Sequence, residues 1–188
     1  MSAKYEFVPG DTITIAPGRT LKRIRALISI AAAGVAPGNL GGYIESEANL
    51  AQVSGDAQVS GNAQVSGNAW MSGNARVYGD AWVSGDAQVS GNAQVSGNAR
   101  MSGNARVSGD GMIFWATNVG SENGTLTVYS TKDNTLQVTR GCFIGSVDEF
   151  LAASEKTHDD DTHLEYRLLI EVAHSRITRA RNALEADQ

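Results

Sequence analysis

Residues 51–110 read AQVSGD AQVSGN AQVSGN AWMSGN ARVYGD AWVSGD AQVSGN AQVSGN ARMSGN ARVSGD, which is ten six-residue repeats in unbroken register. Each repeat contains Ala, a variable residue, Val or Met, Ser or Tyr, Gly, and Asn or Asp. A short fixed period is typical of a repeat architecture, in which neighbouring units stack and bury a continuous core. Disordered polar linkers do not keep an aliphatic residue at every sixth position, so this array predicts an ordered fold.

Each repeat combines a strand-like segment with a turn. Ala and Val would point to one side of an extended chain, and the variable residue and Ser to the other. Gly followed by Asn or Asp tolerates the left-handed backbone conformation that a corner needs. An amphipathic helix would require a period of 3.6 residues, so the array predicts a solenoid of short strands.

The Val-Ser-Gly-Asn-Ala-x pattern resembles the hexapeptide repeat of left-handed parallel β-helices, although Ser stands where that repeat often has Gly, Ala or an acidic residue. In that family three hexads form one triangular coil. The resemblance implies stacked Asn and Asp ladders at the corners and one interior column on each of the three faces. The columns would be Val53, Met71, Val89 and Val107; Val59, Val77 and Val95; and Val65, Val83 and Met101.

Solenoid ends expose backbone edges and need caps, which the two flanks are expected to supply. In the N-terminal flank, residues 5–8 and 12–15 alternate around Pro9-Gly10-Asp11 and predict a small hairpin. In the C-terminal flank, residues 125–129 and 136–139 read as strands. A capping box at Ser146 to Glu149 begins a helix to about residue 157.

A final helix is expected from about residue 163 to 186. Its apolar stripe would contain Tyr166, Leu169, Ile170, Ala173, Ile177, Ala180 and Leu184. The predicted fold is therefore mainly β, with a left-handed parallel β-helix (a triangular solenoid) over residues 51–115. A small N-terminal β cap would occupy residues 1–50, and a C-terminal α+β appendage over residues 116–188 would cover the last coil and join subunits.

Two segments before the array extend the resemblance: GRTLKRIRAL at residues 18–27 and LGGYIESE at residues 40–47. With the hexads, they resemble a group of bacteriophage and prophage proteins of largely unassigned function, over roughly residues 4–110. The resemblance implies a phage-associated origin and a β-helix, and it brings no catalytic residue.

Composition argues against several classes of function. Fifteen Lys and Arg against 20 Asp and Glu give a net charge of −5, without the basic footprint that nucleic acids require. The single cysteine, Cys142, excludes an internal disulfide and is expected to be an inert thiol in a reducing compartment. The apolar stretch 26–38 is too short to span a bilayer. We expect it to form a buried strand or short helix in a cytoplasmic protein, with a secretory signal as the alternative.

Residues suited to catalysis are sparse. Hexapeptide-repeat acyltransferases use a base, usually a histidine, and the array contains no histidine. His158 and His163 flank the run Asp159-Asp160-Asp161, which reads either as a divalent-metal loop or as a solvated linker. We expect the linker, and we expect no catalytic residue, cofactor or metal.

Large outward residues interrupt the glutamines at the variable positions. Trp70, Arg76 and Trp82 fall in three successive hexads, and Tyr78 replaces Ser in the middle one. Arg100 would lie one coil from Trp82, well placed to stack on its indole. Because these residue types dominate interface energies, they are the candidate partner-binding residues. They would contact the ends of the chain, another copy or a foreign protein.

Lys22, Arg23 and Arg25 form the densest basic cluster. It reads either as a solvated cap face, with the side chains covering apolar surface, or as a second docking site for an acidic partner.

The expected function is that of a non-catalytic, phage-encoded β-helix protein that binds a bacterial or phage protein in the host cytoplasm. Inhibition of a host defence is one such role, and it rests on the resemblance alone. We expect no nucleic-acid or membrane partner. The first alternative is a self-associating structural phage component, a dimer or trimer, and the second is a hexapeptide-repeat acyltransferase.

Overall fold

The computed structural model describes residues 3–15, 18–31, 34–52, 55–109 and 111–186. Their strands are β1 (Tyr5–Ile15), β2 (Arg19–Ala26), β3 (Leu40–Ile44), β4 (Gln58–Val59), β5 (Gln64–Val65), β6 (Trp70–Met71), β7 (Arg76–Val77), β8 (Trp82–Val83), β9 (Gln88–Val89), β10 (Gln94–Val95), β11 (Arg100–Met101), β12 (Arg106–Val107), β13 (Ile113–Val119), β14 (Gly124–Ser130), β15 (Leu136–Arg140) and β16 (Phe143–Ser146). The helices are α1 (Val147–Thr157) and α2 (Asp160–Ala186).

The hexads form a β-helix with three parallel columns of strands. Each strand from β4 to β9 pairs in parallel with the strand three hexads further along the chain, as Gln64 does with Trp82 and Trp82 with Arg100. The columns are β4-β7-β10, β6-β9-β12 and β5-β8-β11, and the last of these continues a sheet that begins with β1-β2-β3. This arrangement confirms the predicted three-faced solenoid; its left-handed sense stays a prediction.

The interior is filled by the Ala and the Val or Met of each hexad. All of the predicted column residues from Val59 to Val107 are at most 3% exposed. Val53, the first residue of one column, lies outside the described residues. Leu50 is buried beside Met71 through an isolated parallel bridge at that end. Burial of a Val or Leu side chain contributes about 1.5–3 kcal/mol, so the stacked columns stabilise every coil.

Side-chain ladders connect the corners of successive coils, as predicted. Asn62 Nδ2 donates to Asp80 Oδ1 at 3.1 Å, and Asn68 Nδ2 donates to Asp86 Oδ1 at 2.9 Å. The two partners of each amide–carboxylate pair are 18 positions apart, which is one coil. The pairs therefore reinforce the backbone register on the outside of the prism.

The N-terminal cap differs from the predicted hairpin, which is wrong. β1 runs through the Pro9-Gly10-Asp11 segment as one strand, and its antiparallel register with β2 shifts between Phe7 and Thr12. The turn-like residues are accommodated as a bulge, in which Gly10 adopts a φ of 79°. β2 then pairs with β3, and β3 with β5, so the cap extends one face of the solenoid.

The buried strand predicted for the apolar stretch 26–38 is wrong in the described residues, whereas Ala31 has 3-10 helical geometry. The alternative of a short helix falls partly outside the described residues and stays a prediction. β2 ends at Ala26, Ile30 and Val35 form an isolated antiparallel bridge, and Leu27 is 42% exposed. Ile30 and Val35 line a cavity of about 70 Å³ beside Tyr5.

Tyr5 anchors the cap to the first coil. Its hydroxyl donates toward the carbonyl oxygens of Glu47 and Leu50, at 3.2 Å and 3.1 Å. Burial, with a smaller contribution from the charge of Glu47, raises the pKa of the Tyr5 hydroxyl from 10.0 to about 12. The folded state therefore holds this proton more tightly than the unfolded state.

We expect the free energy of unfolding to fall as the pH rises from about 10 to about 12, because the unfolded chain loses the Tyr5 proton first. Tyr129, whose pKa is also raised by burial, contributes in the same direction. Urea unfolding of Tyr5→Phe should show a shallower alkaline loss, and a stability about 1 kcal/mol lower at neutral pH. An alkaline slope equal to that of the wild type would contradict this role of Tyr5.

The C-terminal region places a four-stranded antiparallel sheet, in the order β13-β14-β15-β16, between the last coil and the two helices. Ile113, Trp115 and Tyr129 pack on the solenoid core, whereas Leu126 and Val138 face α1 and α2. The capping box at Ser146 and the apolar stripe of the last helix are confirmed.

The last helix begins at Asp160, earlier than predicted, and Asp159 Oδ1 accepts a hydrogen bond from Thr162 N at 2.8 Å. The acidic run therefore starts a helix and is not a linker, because carboxylates are favourable near helix N-termini. No helix in the described ranges has the length and apolarity to cross a bilayer.

Side-chain hydroxyls cover the backbone edge of the last coil on the face that ends in β11. Thr127 Oγ1 accepts from Arg100 N at 3.2 Å, and Thr139 Oγ1 donates to Arg100 O at 2.8 Å. Tyr129 covers the backbone of Ser102, two residues after Arg100. Its hydroxyl accepts a hydrogen bond from Ser102 N at 3.2 Å and lies 3.3 Å from Ser102 O. This edge is therefore closed by side chains of β14 and β15 and not by a further parallel strand.

Candidate functional site

One outward row of side chains crosses the sheet shared by the cap and the solenoid. Neighbouring members are Cα partners on neighbouring strands, and together we call them the arginine–aromatic row: Arg23, Tyr43, Gln64, Trp82 and Arg100. Strands in a sheet lie about 4.8 Å apart, so four steps place the two arginines roughly 19 Å apart. The row begins in the cap and ends at the last coil.

Each aromatic ring of the row lies under a guanidinium. Arg23 Cζ is 4.4 Å from the centroid of the Tyr43 ring. Arg100 Cζ is 5.6 Å from the Trp82 ring, in the stacking position that the coil spacing predicts. Such cation–π contacts contribute about 0.5–1 kcal/mol at exposed sites. They hold large, amphipathic side chains in defined positions on a rigid sheet.

The two ends of the row differ in charge. Arg23 Nε donates to Asp11 Oδ2 and the Tyr43 hydroxyl donates to Asp11 Oδ1, both at 3.1 Å. Arg23 Nη1 also donates to the carbonyl oxygen of Gly41 at 2.8 Å. Arg100 is exposed and has no carboxylate within ion-pair distance among the described residues. The row therefore carries its uncompensated positive charge at the Arg100 end.

Trp82 is half-buried, and its indole Nε1 is enclosed without a hydrogen-bond acceptor in the part of the chain that the structure describes. A buried N–H without a partner is costly, so this N–H reduces the contribution of Trp82 to the stability of the coil.

The other predicted binding residues lie on other faces. Trp70, in β6, is 46% exposed on the β6-β9-β12 face. Arg76 and Tyr78 belong to the β4-β7-β10 face, where the Tyr78 hydroxyl donates to Gln94 Oε1 at 3.4 Å. One coil thus carries a large residue on each face, as the spacing predicts. Because the three faces point in different directions, the structure separates Trp70 from the pair Arg76 and Tyr78, and both from the stacked pair Trp82 and Arg100.

The basic cluster of the cap is largely balanced by acidic residues of the cap itself. Arg25 Nε donates to Glu6 Oε1 at 2.9 Å, and Arg23 is paired with Asp11. Lys22 is exposed, and its Nζ lies 5.0 Å from the centroid of the Phe7 ring. These contacts favour the interpretation as a cap face over that as a docking site for an acidic partner.

Sequence reasoning missed Tyr43 and Asp11 as members of the site. Tyr43 pairs with Gln64, 21 positions later, whereas partners inside the array are 18 positions apart. No repeat spacing could therefore align the LGGYIESE segment with the array. The available signal was the adjacent pair Tyr43-Ile44, whose residue types are enriched in strands but do not give the register of a strand.

Among the described residues, no group of three or more His, Cys, Asp or Glu side chains is placed to hold a metal ion. His163 Nδ1 lies 3.2 Å from Ser154 Oγ, and His158 Nδ1 lies 3.4 Å from Ser121 Oγ. Cys142 is exposed in the turn between β15 and β16.

Comparison with known protein families identifies the array. The family described as YdcK β-solenoid repeat matches residues 51–67, 57–73, 69–85, 87–103 and 93–109. These matches support a β-solenoid repeat protein and include the coils that present Trp82 and Arg100. No curated protein matches the chain.

Proposed function

We propose that this chain is a non-catalytic binding protein that contacts a protein partner through the arginine–aromatic row. The observation that carries the proposal is the placement of Tyr43 and Trp82, each under an arginine, on one backbone-paired sheet. Trp, Tyr and Arg account for most hot spots in protein interfaces. Side chains that are already ordered lose little conformational entropy on binding.

The positive charge of Arg100 indicates which groups a partner surface would carry. Arg23 is neutralised by Asp11, whereas Arg100 is exposed at the other end of the row. A complementary surface would place apolar groups over Trp82 and a carboxylate beside Arg100, where a charge-assisted hydrogen bond is strong.

The proposed partner is a bacterial or phage protein, and the proposed role is inhibition of a host defence in the bacterial cytoplasm. This part of the proposal is supported by the resemblance of residues 18–27, 40–47 and the array to bacteriophage and prophage proteins.

We expect Trp82→Glu to lower affinity for the partner by roughly 30-fold or more, as loss of a hot spot does. Trp70→Glu is the matched control, because it makes the same change on another face of the same coil. Affinity capture from bacterial lysate, read by mass spectrometry and followed by titration of the purified partner, measures the effect.

Arg100→Glu provides an independent variant of the row, because its exposed side chain can be replaced without disturbing the core. It should weaken the same interaction. Unchanged binding by both Trp82→Glu and Arg100→Glu, or an equal loss in Trp70→Glu, would overturn the proposal. A rise in melting temperature with acetyl-CoA would instead support the acyltransferase alternative.

A second candidate function is that of a self-associating structural component. The observation that favours it is the apolar stripe that α2 exposes on the side away from the sheet, where Leu164, Leu168 and Val172 are exposed.

A further inference from the structure

The outer side of α2 carries an apolar stripe that the described chain leaves uncovered. Leu164, Leu168 and Val172 are 40%, 51% and 48% exposed. They follow one another at four-residue spacing on a helix of 27 residues, so they lie on one face of it. Contiguous exposed aliphatic residues on a helix are typical of an interaction surface.

This stripe is distinct from the one that fixes α2 to the protein. Tyr166, Ile170, Ala173 and Ile177 are buried in the cluster formed with the C-terminal sheet. At 3.6 residues per turn, these positions fall on the side of the helix opposite to Leu168. α2 is therefore apolar on two sides, whereas a surface helix of a monomer needs only one apolar side.

The charges at the ends of the exposed stripe are opposite in sign. Asp161 and Arg179 are exposed and lie on the same helix face as Leu168. Residues 160–171 contain four carboxylates and one arginine, and residues 172–186 contain three arginines and one carboxylate. The first half of α2 is thus acidic and the second half is basic.

We propose that two copies of this chain associate through α2 as an antiparallel helix pair. In this arrangement Leu168 of one copy packs on Val172 of the other. Asp161 of each copy then faces Arg179 of the other, because positions 161 and 179 have the same midpoint along the helix as positions 168 and 172. The proposal deepens the second candidate function and does not depend on the arginine–aromatic row.

Charge complementarity favours this occupant over a membrane surface or a parallel pair. In a parallel pair, Asp161 of one copy would face Asp161 of the other, and Arg179 would face Arg179. Both contacts bring like charges together and are repulsive. Helices that lie on membranes carry Lys and Arg beside the apolar face, whereas Asp161 and Glu165 flank this stripe at its N-terminal end.

The size of the contact sets its strength. From Asp161 to Arg179 the stripe is about 27 Å long at 1.5 Å per residue, and three aliphatic side chains per copy form its apolar part. A contact of this length with so few apolar side chains buries an area at the small end of the range for specific interfaces. The dimer should therefore be in equilibrium with the monomer, with a dissociation constant on the order of micromolar.

Sedimentation velocity over a wide range of concentration tests the surface. The wild type should shift from monomer to dimer, and Leu168→Glu should raise the dissociation constant roughly 100-fold or more because the carboxylate would be buried in the contact. Leu40→Glu is the matched control, since Leu40 is an exposed leucine of the N-terminal cap, and it should dimerise like the wild type. A wild type that stays monomeric, or an unaltered Leu168→Glu dimer, would overturn the proposal.

Charge reversal tests the antiparallel orientation. Asp161→Arg alone and Arg179→Asp alone should each weaken the dimer roughly tenfold, because each leaves like charges facing one another. The variant that carries both reversals should regain the affinity of the wild type at low salt. Failure of the double reversal to restore affinity would exclude the antiparallel register.

The same variants separate this proposal from the partner-binding one. Leu168→Glu should remain able to capture the partner of the arginine–aromatic row, and Trp82→Glu should still dimerise. Loss of self-association in Trp82→Glu, with Leu168→Glu unaffected, would place the contact between copies on the solenoid face and overturn the role of α2.

Discussion

Gly91→Ala will lower the free energy of unfolding by about 3 kcal/mol or more, whereas Gly141→Ala will lower it by about 1 kcal/mol. Both glycines have a φ of 58°, so both substitutions place an L side chain in the same left-handed backbone conformation. The difference between the two variants therefore measures the space available at each site and not the backbone strain.

Space is what distinguishes the two positions. A Cβ on Gly91 would lie 2.0 Å from the carbonyl oxygen of Ser108, which belongs to the neighbouring coil, while a Cβ on Gly141 would meet nothing within 4 Å. Ser108 cannot move away freely, because Ser90 N donates to Val107 O at 2.9 Å and holds the two coils in register. The coil spacing must open for the methyl group to fit.

Urea unfolding of both variants, followed by circular dichroism, gives the comparison. Equal losses of stability would show that the corner tolerates a side chain and that the coils leave space for a methyl group between Gly91 and the Ser108 carbonyl oxygen. If Gly91→Ala is too unstable to purify while Gly141→Ala is well folded, the loss of stability at Gly91 is larger than at Gly141, as expected.

The double variant Thr127→Val, Thr139→Val will lower the free energy of unfolding by about 2–4 kcal/mol, because Arg100 N and Arg100 O would lose their partners at a covered edge. Thr127 and Thr139 are 1% and 7% exposed, so water does not readily replace their hydroxyls. Val has nearly the shape of Thr, and the change therefore removes hydrogen bonds without creating a cavity.

Thr125→Val on the same strand is the control for this pair, since the Thr125 hydroxyl forms no hydrogen bond within the described residues. Its stability should stay within about 0.5 kcal/mol of the wild type. Amide hydrogen exchange adds a local measurement: the double variant should expose the Arg100 amide more often, and the Ser102 amide less so, because Tyr129 still covers it. Unchanged exchange at Arg100 would contradict a hydroxyl cap.

Much of the solenoid could be predicted because each hexad meets the same surroundings. An aliphatic residue that recurs every six positions at a strand site must face the interior, and the coil spacing then places Arg100 over Trp82. The flanks lack this redundancy. The Pro9-Gly10-Asp11 segment carries the local signal of a hairpin, yet its pairing with β2 favours a bulge, since tertiary strand pairing outweighs a turn propensity.

Half of the candidate site was accessible to the same reasoning. Trp82 and Arg100 follow from the repeat, whereas Tyr43, with Asp11 bonded to its hydroxyl, joins their row only because β3 pairs with β5 at an offset outside the repeat. Likewise, the spacing predicts that Trp70, Arg76 and Trp82 lie at one height, but three faces that point apart keep them from forming one surface.

The sequence by itself determined the β-solenoid, its interior columns and its corner ladders, because a period of six residues repeats one local environment along the whole array. Only the tertiary structure decided which outward residues meet and how hydroxyls of the C-terminal sheet close the last coil. These features depend on contacts between segments that no period relates. Their register is set by packing across the fold and leaves no signal in the local pattern of residues.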